Sequence, residues 1–132
     1  MIEIPKNIYE EMISYVRSKL PNEACGILAG TDNCVKRIYK MRNVDESPES
    51  YLMDPHEQIR VMKDIRENDM KMLAIFHSHP YTPARPSEKD INMAFYDDVH
   101  YIIISFMTNI PDVKAFKIIE KTTTMEKIII KD

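Results

Sequence analysis

The chain has 132 residues, of which 44% are hydrophobic and 30% charged, a composition typical of one soluble globular domain. Its net charge of −3 offers no basic surface for nucleic acid, and no stretch approaches the roughly 20 apolar residues of a membrane-spanning helix. We therefore expect no nucleic-acid partner and no membrane segment and, because the N-terminus lacks an apolar signal sequence, a cytoplasmic protein.

The two cysteines, Cys25 and Cys34, are too few for a disulfide framework and do not form a C-x-x-C pair, which fits a reducing cytosol. We expect buried or half-buried thiols rather than metal ligands. A disulfide between them stays open at this point, because it depends on whether their two segments pair.

The first third of the chain predicts a helix and a β-hairpin. Apolar residues at steps of four predict an amphipathic helix over about residues 7–20. Residues 23–30 are a short apolar segment between a proline and a glycine, which predicts a buried strand. Residues 34–41 follow a tight turn and predict the hairpin partner of that strand.

A polar loop and a second helix come next. Residues 42–50 are mostly polar and predict an exposed loop, while residues 51–53 predict a brief strand. Asp54 and Pro55 indicate a helix start, since a carboxylate can cap the first turn and proline fits its first position. We expect this helix to reach about residue 68. Its inward stripe is predicted to contain Ile59, Met62 and Ile65.

The second half of the chain predicts strands around one further helix. Residues 71–76 are almost continuously apolar, typical of a central strand buried on both faces, and this strand leads directly to His77. A third helix is expected over about residues 87–96, with Ile91, Ala94 and Phe95 facing inward. The remaining predicted strands are residues 99–106, residues 113–120 and an edge strand at residues 125–130.

His77 and His79 are the first candidate functional residues. On a strand, side chains two positions apart point to the same face, so their imidazoles can share one metal ion. Asp90 follows eleven positions after His79, beyond a loop stiffened by prolines. Two imidazoles and one carboxylate make three protein ligands, the number with which a catalytic zinc keeps a fourth position for water. The segment therefore predicts a metal site.

Each part of this segment also has a purely structural explanation. Histidines at a strand end are often half-buried polar residues with satisfied hydrogen bonds. Ser87 and Asp90 have the spacing of a capping box at a helix start, where the helix dipole favours a carboxylate. A generic cap does not require His-x-His-Pro upstream, however, so the combination favours the metal site.

The pattern His77-x-His79-Pro, six residues, Ser87, two residues, Asp90 resembles the signature of the JAMM metalloproteases, the catalytic class of MPN domains. Residue types and spacing agree without departure. The family's other functional residue is a glutamate at the start of an upstream strand, a position that Glu23 matches. The order of elements also agrees over residues 1–132. The resemblance therefore implies a single α/β domain, with a mixed sheet flanked by helices in a cytidine-deaminase-like three-layer architecture.

The resemblance implies a role for each of these residues. His77, His79 and Asp90 would bind one Zn²⁺, which can lower the pKa of a bound water to roughly 7. Glu23 would accept the proton of that water as general base and return it to the departing amine as general acid. Ser87 would hydrogen-bond the oxyanion of the tetrahedral intermediate.

JAMM enzymes cut after the C-terminal tails of ubiquitin or ubiquitin-like proteins, and members specialised for ubiquitin chains carry insertions around the active site. This chain has only a short loop at residues 42–50 and two aspartates, Asp97 and Asp98, after its third predicted helix. It resembles the minimal prokaryotic type. The implied activity is that of a zinc-dependent isopeptidase, acting on ubiquitin-like modifiers or sulfur-carrier proteins with Gly-Gly tails.

Other possibilities stay open at this point. The enzyme could instead be a peptidase that trims a cysteinyl or peptide adduct from a sulfur-carrier tail, or the domain could be a non-catalytic MPN scaffold. The chain could also form a homodimer. His56 and His100 lack partners at metal spacing, so we expect neither to be a ligand. The residues of the motif loop that could contact substrate are Tyr81, Thr82 and Arg85.

Overall fold

The computed structural model describes residues 1–132 and contains one eight-stranded mixed β-sheet with three helices. The strands are β1 (Ile2–Pro5), β2 (Cys25–Thr31), β3 (Cys34–Met41), β4 (Lys71–His79), β5 (His100–Ser105), β6 (Asp112–Ile119), β7 (Thr122–Glu126) and β8 (Ile128–Lys131). The helices are α1 (Lys6–Ser18), α2 (Pro55–Glu67) and α3 (Glu88–Asn92). None of the three helices combines the length and apolarity needed to cross a membrane.

The helices cover both faces of the sheet, whose strand order is β7-β6-β5-β4-β2-β3-β1-β8. The pairs β4–β5, β1–β3 and β1–β8 are parallel and the others antiparallel. Helix α1 buries Met12 and Val16 in one core cluster, together with Phe76 of β4. On the other face, Ile65 of α2 belongs to a second cluster, against which the partly buried Ile91 of α3 packs. The predicted three-layer α/β architecture is therefore confirmed.

The last part of the chain brings the two edges of the sheet together. Strands β7 and β8 lie at opposite edges of the sheet, although only Lys127 separates them in sequence. The sheet must therefore curl until its edges come together. At this junction the backbone N–H of Ile2 donates to the carbonyl of Lys127 at 3.0 Å. The single edge strand expected at residues 125–130 is thus wrong, and β1, which pairs with β8, was not predicted.

The third helix is shorter than expected. It was predicted over residues 87–96, but it ends at Asn92, and Phe95 is 73% exposed rather than inward-facing. The physical reason is that the chain must turn back to enter β5. The backbone N–H of Tyr96 accordingly bonds to the hydroxyl of Tyr101 at 3.1 Å, not to a helical carbonyl.

The inward stripe of α2 is narrower than expected. Ile65 is buried, whereas Ile59 is 70% exposed, so the inward orientation predicted for Ile59 is wrong. Six positions at 3.6 residues per turn separate these side chains by about 120° around the helix axis. A face centred on Ile65 therefore leaves Ile59 outside it.

Strands β2 and β3 form the predicted hairpin. Their antiparallel register pairs Cys25 with Met41 and Thr31 with Cys34, so the two cysteines lie at opposite ends of the hairpin. Both are free thiols, which answers the question of a disulfide. The brief strand expected at residues 51–53 is reduced to a single bridge between Asn43 and Met53.

Gly26 lies where β2 contacts both of its neighbouring strands closely. A Cβ atom at this position would overlap the ring of Phe76 on β4 and lie 2.5 Å from the backbone carbonyl oxygen of Tyr39 on β3. The Phe76 ring is fully buried and the carbonyl belongs to the sheet ladder, so neither group can move aside easily.

We predict that Gly26→Ala lowers the free energy of unfolding by about 1–3 kcal/mol, the usual effect of overpacking a core. Urea unfolding followed by circular dichroism measures this change. Lys36→Ala, at an exposed position of β3, is the control and should stay within about 0.5 kcal/mol of the unsubstituted protein. Equal stability of the Gly26→Ala protein would contradict the close contact.

Candidate active site

Strand β4 carries both candidate histidines. It runs as far as His79, three residues beyond the predicted end at residue 76, so both imidazoles are attached to regular strand backbone. The exposed fractions of His77 and His79 are 1% and 3%. Because side chains alternate along a strand, both histidines face the layer of α2 and α3, whereas Phe76 packs in the cluster beneath α1.

His77, His79 and Asp90 converge on one point. The distance between the two Nε2 atoms is 3.1 Å, and Oδ2 of Asp90 lies 3.2 Å from Nε2 of His77 and 3.0 Å from Nε2 of His79. A tetrahedral zinc with bonds of about 2.0 Å would separate its ligand atoms by about 3.3 Å. The triangle thus has nearly the dimensions and the donor types that such an ion requires, and this group could hold a metal ion.

The backbone of the motif loop orients His79. Its Nδ1 lies 2.9 Å from the carbonyl oxygen of Pro83. A carbonyl can only accept, so Nδ1 carries the proton and Nε2 keeps a lone pair for a metal ion. Hydrogen bonds of this kind commonly support metal-binding histidines. His77 lacks one, since its Nδ1 is buried without a partner.

Asp90 belongs to a helix cap and to the histidine cluster at the same time. Its Oδ2 accepts the backbone N–H of Ser87 at 2.9 Å while it faces both imidazoles, and its own N–H donates to Oγ of Ser87 at 3.0 Å. The capping box and the metal-ligand arrangement are therefore compatible. In the cap, Ser87 uses only its oxygen as acceptor, so its hydroxyl proton remains available to a substrate.

Burial and hydrogen bonding set the charges in this cluster. Burial lowers the pKa of His77, which favours the neutral imidazole. Burial alone would raise the pKa of Asp90, but the adjoining imidazoles of His77 and His79 hold it well below its usual range. Burial also opposes protonation of His79, yet the two acceptors beside its ring, Asp90 and the Pro83 carbonyl, outweigh burial and raise that pKa. An ionised carboxylate beside imidazoles is what a divalent cation requires.

Glu23 reaches the same region from the chain that precedes β2. The antiparallel register pairs Cys25 with His77, so the residues before Cys25 run alongside His79. Glu23 is 6% exposed, and its Oε1 is buried without a hydrogen-bond partner. Burial raises the pKa of this carboxyl to about 8. Unpaired buried carboxyl oxygens are rare in folded proteins, and they call for an explanation.

Tyr51 contributes to the site although the sequence did not point to it. Its ring stacks on His77 with centroids 4.5 Å apart and an interplanar angle of 25°. The contact joins a loop residue to a strand that is distant in sequence, so no local pattern reports it. The segment was predicted only as a brief strand, and periodicity alone does not indicate which aromatic ring covers a histidine.

The other candidates lie elsewhere or at the rim. His56 is exposed in the first turn of α2, and His100 is buried on β5 beside Ala74, with its Nε2 3.6 Å from Glu126. Neither joins the His77 cluster. In the motif loop, the exposed side chains that a substrate could reach are those of Tyr81, Thr82 and Arg85.

A family model described as prokaryotic homologs of the JAB domain matches residues 5–119. The chain belongs to this prokaryotic JAB family. This membership confirms the resemblance to the JAMM metalloproteases, and the relatives named as a peptidase and a protease confirm the hydrolase class. The expected domain limits at residues 1 and 132 stay a prediction.

Curated relatives and solved structures agree with this assignment. The CysO-cysteine peptidase of Mycobacterium tuberculosis is 31% identical over 97% of this chain and 90% of its own length. A probable TtuB-protein conjugate cleaving protease of Thermus thermophilus is 35% identical over 78% of this chain and 69% of its own length.

Among solved structures, protein DSY2949 of Desulfitobacterium hafniense has a TM-score of 0.90 and 44% identity, covering 100% of this chain and 94% of that one. AF2198, a JAB1/MPN domain protein of Archaeoglobus fulgidus, has a TM-score of 0.68 and 16% identity, covering 99% of this chain and 100% of that one. The second likeness concerns the fold alone, which is that of a JAB1/MPN domain.

We predict that Asp90→Ala lowers the affinity for Zn²⁺ by more than about 100-fold, since even residues that only support a metal site are worth about 10- to 100-fold. Competition with a chromophoric chelator measures this affinity. Ser87→Ala is the matched control. It removes the capping hydroxyl at a cost of about 1 kcal/mol of stability but leaves the three ligand atoms in place. Full Zn²⁺ affinity of the Asp90→Ala protein would reduce Asp90 to a helix cap.

Proposed function

We propose that the protein is a cytoplasmic zinc metallopeptidase that hydrolyses the amide bond after the C-terminal tail of a ubiquitin-like modifier or a sulfur-carrier protein. One observation carries this proposal. Two imidazoles and a carboxylate converge within 3.2 Å of one another, and the strand register places Glu23, whose Oε1 is buried without a partner, alongside His79. Membership in the prokaryotic JAB family supports the assignment.

His77, His79 and Asp90 would hold one Zn²⁺. When bound, the ion would supply Lewis acidity that activates a water molecule and polarises the scissile carbonyl. The neutral imidazoles and the ionised carboxylate leave it a net charge of about +1. The three side chains come from rigid elements, a central strand and a capped helix start, which suits a site that must keep its geometry.

Glu23 and Ser87 would move and stabilise charge during the reaction. A cation held beside Glu23 would favour its ionised form, and this carboxylate would accept a proton from the attacking water and return it to the departing amine. Its unpaired Oε1 is free for this contact, because no protein group occupies it. Ser87 would donate its hydroxyl proton to the oxyanion that develops on the substrate carbonyl. The capping role of Ser87 does not compete with this donation, since the cap uses only the oxygen.

The substrate class follows from the relatives and from the short loops. One relative is named as a protease of protein conjugates, which favours isopeptide bonds between a modifier tail and a target protein. Between α3 and β5 the chain has only residues 93–99, too little to grip a second protein domain. An extended Gly-Gly tail, bound through its backbone along a strand edge, would therefore supply much of the recognition.

A second candidate is trimming of a cysteinyl adduct from a sulfur-carrier tail. It is favoured by the CysO-cysteine peptidase, whose similarity extends over 97% of this chain. The same residues would act, and only the departing amine would differ. A non-catalytic scaffold is less well supported, since all the polar groups of the motif are present and converge. A homodimer stays a prediction.

We predict that Glu23→Gln lowers kcat by about 10²- to 10⁴-fold, because the amide cannot accept the proton of the attacking water. The Zn²⁺ content should stay at one ion per chain, since Glu23 is not a ligand. Cleavage is measured by mass spectrometry on a ubiquitin-like protein linked through its Gly-Gly tail to a lysine side chain. Glu10→Gln, at an exposed position of α1, is the control and should retain full activity. Unchanged cleavage by Glu23→Gln would exclude Glu23 as the base.

We also predict that the protein cleaves the lysine-linked conjugate at least about 10-fold faster, in kcat/KM, than the same tail carrying a single cysteine. A conjugated target offers contacts beyond the scissile bond that a lone amino acid lacks. Side-by-side assays with one modifier protein measure the ratio. The reverse preference would support the adduct peptidase, and cleavage of neither by zinc-loaded protein would favour the scaffold.

A further inference from the structure

The loop between β3 and α2, residues 42–54, is organised by one side chain, that of Asn43. Its Oδ1 accepts the backbone N–H groups of Asp45 and Leu52 at 3.0 and 2.9 Å. Its Nδ2 donates to the backbone carbonyls of Ser50 and Glu23, both at 3.0 Å. Both donors and both acceptor sites of the amide are thus used. The orientation of the amide is fixed, because the reverse would place NH₂ against two N–H groups and oxygen against two carbonyls.

One arm of this network fixes the backbone of Glu23. The carbonyl of Glu23 accepts from Asn43, and its N–H donates to the carbonyl of Ser47, in the same loop, at 2.8 Å. The Glu23 side chain has a buried oxygen without a partner, so its own hydrogen bonds do little to hold the carboxyl. The loop therefore determines much of where this carboxyl lies.

The other arm reaches His77. Asn43 bonds the carbonyl of Ser50 and the N–H of Leu52, which are the residues on either side of Tyr51. The ring of Tyr51 in turn stacks on His77, whose Nδ1 has no hydrogen bond to orient it. Apart from the contacts of its Nε2 with His79 and Asp90, stacking on Tyr51 is what fixes the rotation of this imidazole.

We propose that Asn43 is a positioning residue of the active site, coupling the placement of Glu23 to the orientation of His77 through the backbone around Tyr51. The inference rests on the proposed function only for the roles of those two residues as base and ligand. It assigns a purpose to a loop that the sequence indicated merely as polar and exposed. An enzyme that loses this side chain should lose both the alignment of its base and part of its metal affinity.

Asn43→Asp tests the proposal with almost no change of shape. The carboxylate keeps the two acceptor contacts but replaces the NH₂ group by an oxygen, which would face the carbonyls of Glu23 and Ser50. We expect kcat to fall by about 10- to 100-fold, the effect of a misplacement near 1 Å. Zn²⁺ affinity should fall by about 10-fold, as is usual for residues that support a ligand.

Nuclear magnetic resonance of the zinc-loaded protein provides a readout that does not depend on cleavage. In Asn43→Asp, the ring protons of His77 should shift toward their positions in Tyr51→Leu, where the stacked ring is absent. The carboxyl carbon of Glu23 should shift as well, while the ring protons of His100 stay unchanged. Asn109→Asp makes the same change of charge in an exposed loop and should alter none of these signals.

A folded Asn43→Asp protein in which either the His77 or the Glu23 signal is unchanged would overturn the coupling. If Asn43→Asp does not fold, Asn43→Ser removes both donors without adding charge and carries the same measurements. Failure of the proposed function would be seen in a different measurement. The unsubstituted protein would then cleave no conjugate, and this result does not depend on the spectra. The spectra of the variants would still decide whether Asn43 links the two side chains.

Discussion

The antiparallel register between β2 and β4 is the constraint that assembles this site. Cys25 pairs with His77, and Ser78 adds two further bonds, donating its N–H to the Ala24 carbonyl at 3.0 Å and accepting the Ala24 N–H on its hydroxyl at 2.9 Å. Because side chains alternate, this register puts Glu23 on the face of the histidines. A slip of one residue would turn Glu23 toward α1, and the site would lose its fourth participant.

Burying the polar groups of the site lowers the stability of the fold, and the sheet and the short helix α3 offset part of this loss. His77 and Glu23 each keep a buried polar atom without a partner, an arrangement that normally lowers stability. Asp90 limits this cost by serving the α3 cap and the histidines with a single oxygen. Since a metal ion at this position would bind the folded chain only, its binding energy would add to the stability of the fold.

The sequence predicted what short spacing can determine. The interval between His77 and His79 follows from strand pleating, and the Ser87 to Asp90 interval follows from helix capping, so both are visible without a fold. The association of Glu23 with them required the resemblance to a family, since a register between β2 and β4 is not written in either strand alone. The contact of Tyr51 with His77 had no signal, because it joins a loop to a distant strand.

The difference between local spacing and long-range pairing also explains why some predicted helix and strand boundaries were wrong. Strand β1 was missed because it has four residues and pairs with β8 from the other end of the chain. The segment at residues 125–130 has the apolar character of a strand, but only the curled sheet divides it at Lys127. The apolar periodicity that continues past Asn92 is genuine, yet the path into β5 ends α3 there.

The loop at residues 42–54 separates two tasks, since Asn43 positions side chains of the active site while other groups recognise the substrate. The side chain of Asn43 and the backbone N–H and carbonyl groups it bonds are directed inward, to Glu23 and to the loop's own chain. Polar groups used in this way are not available to a substrate. If the enzyme acts on tailed proteins, its affinity would then come from other groups, including backbone pairing with the tail. Such pairing tolerates many proteins that end in the same tail, so selectivity would depend on the tail rather than on the body of the substrate.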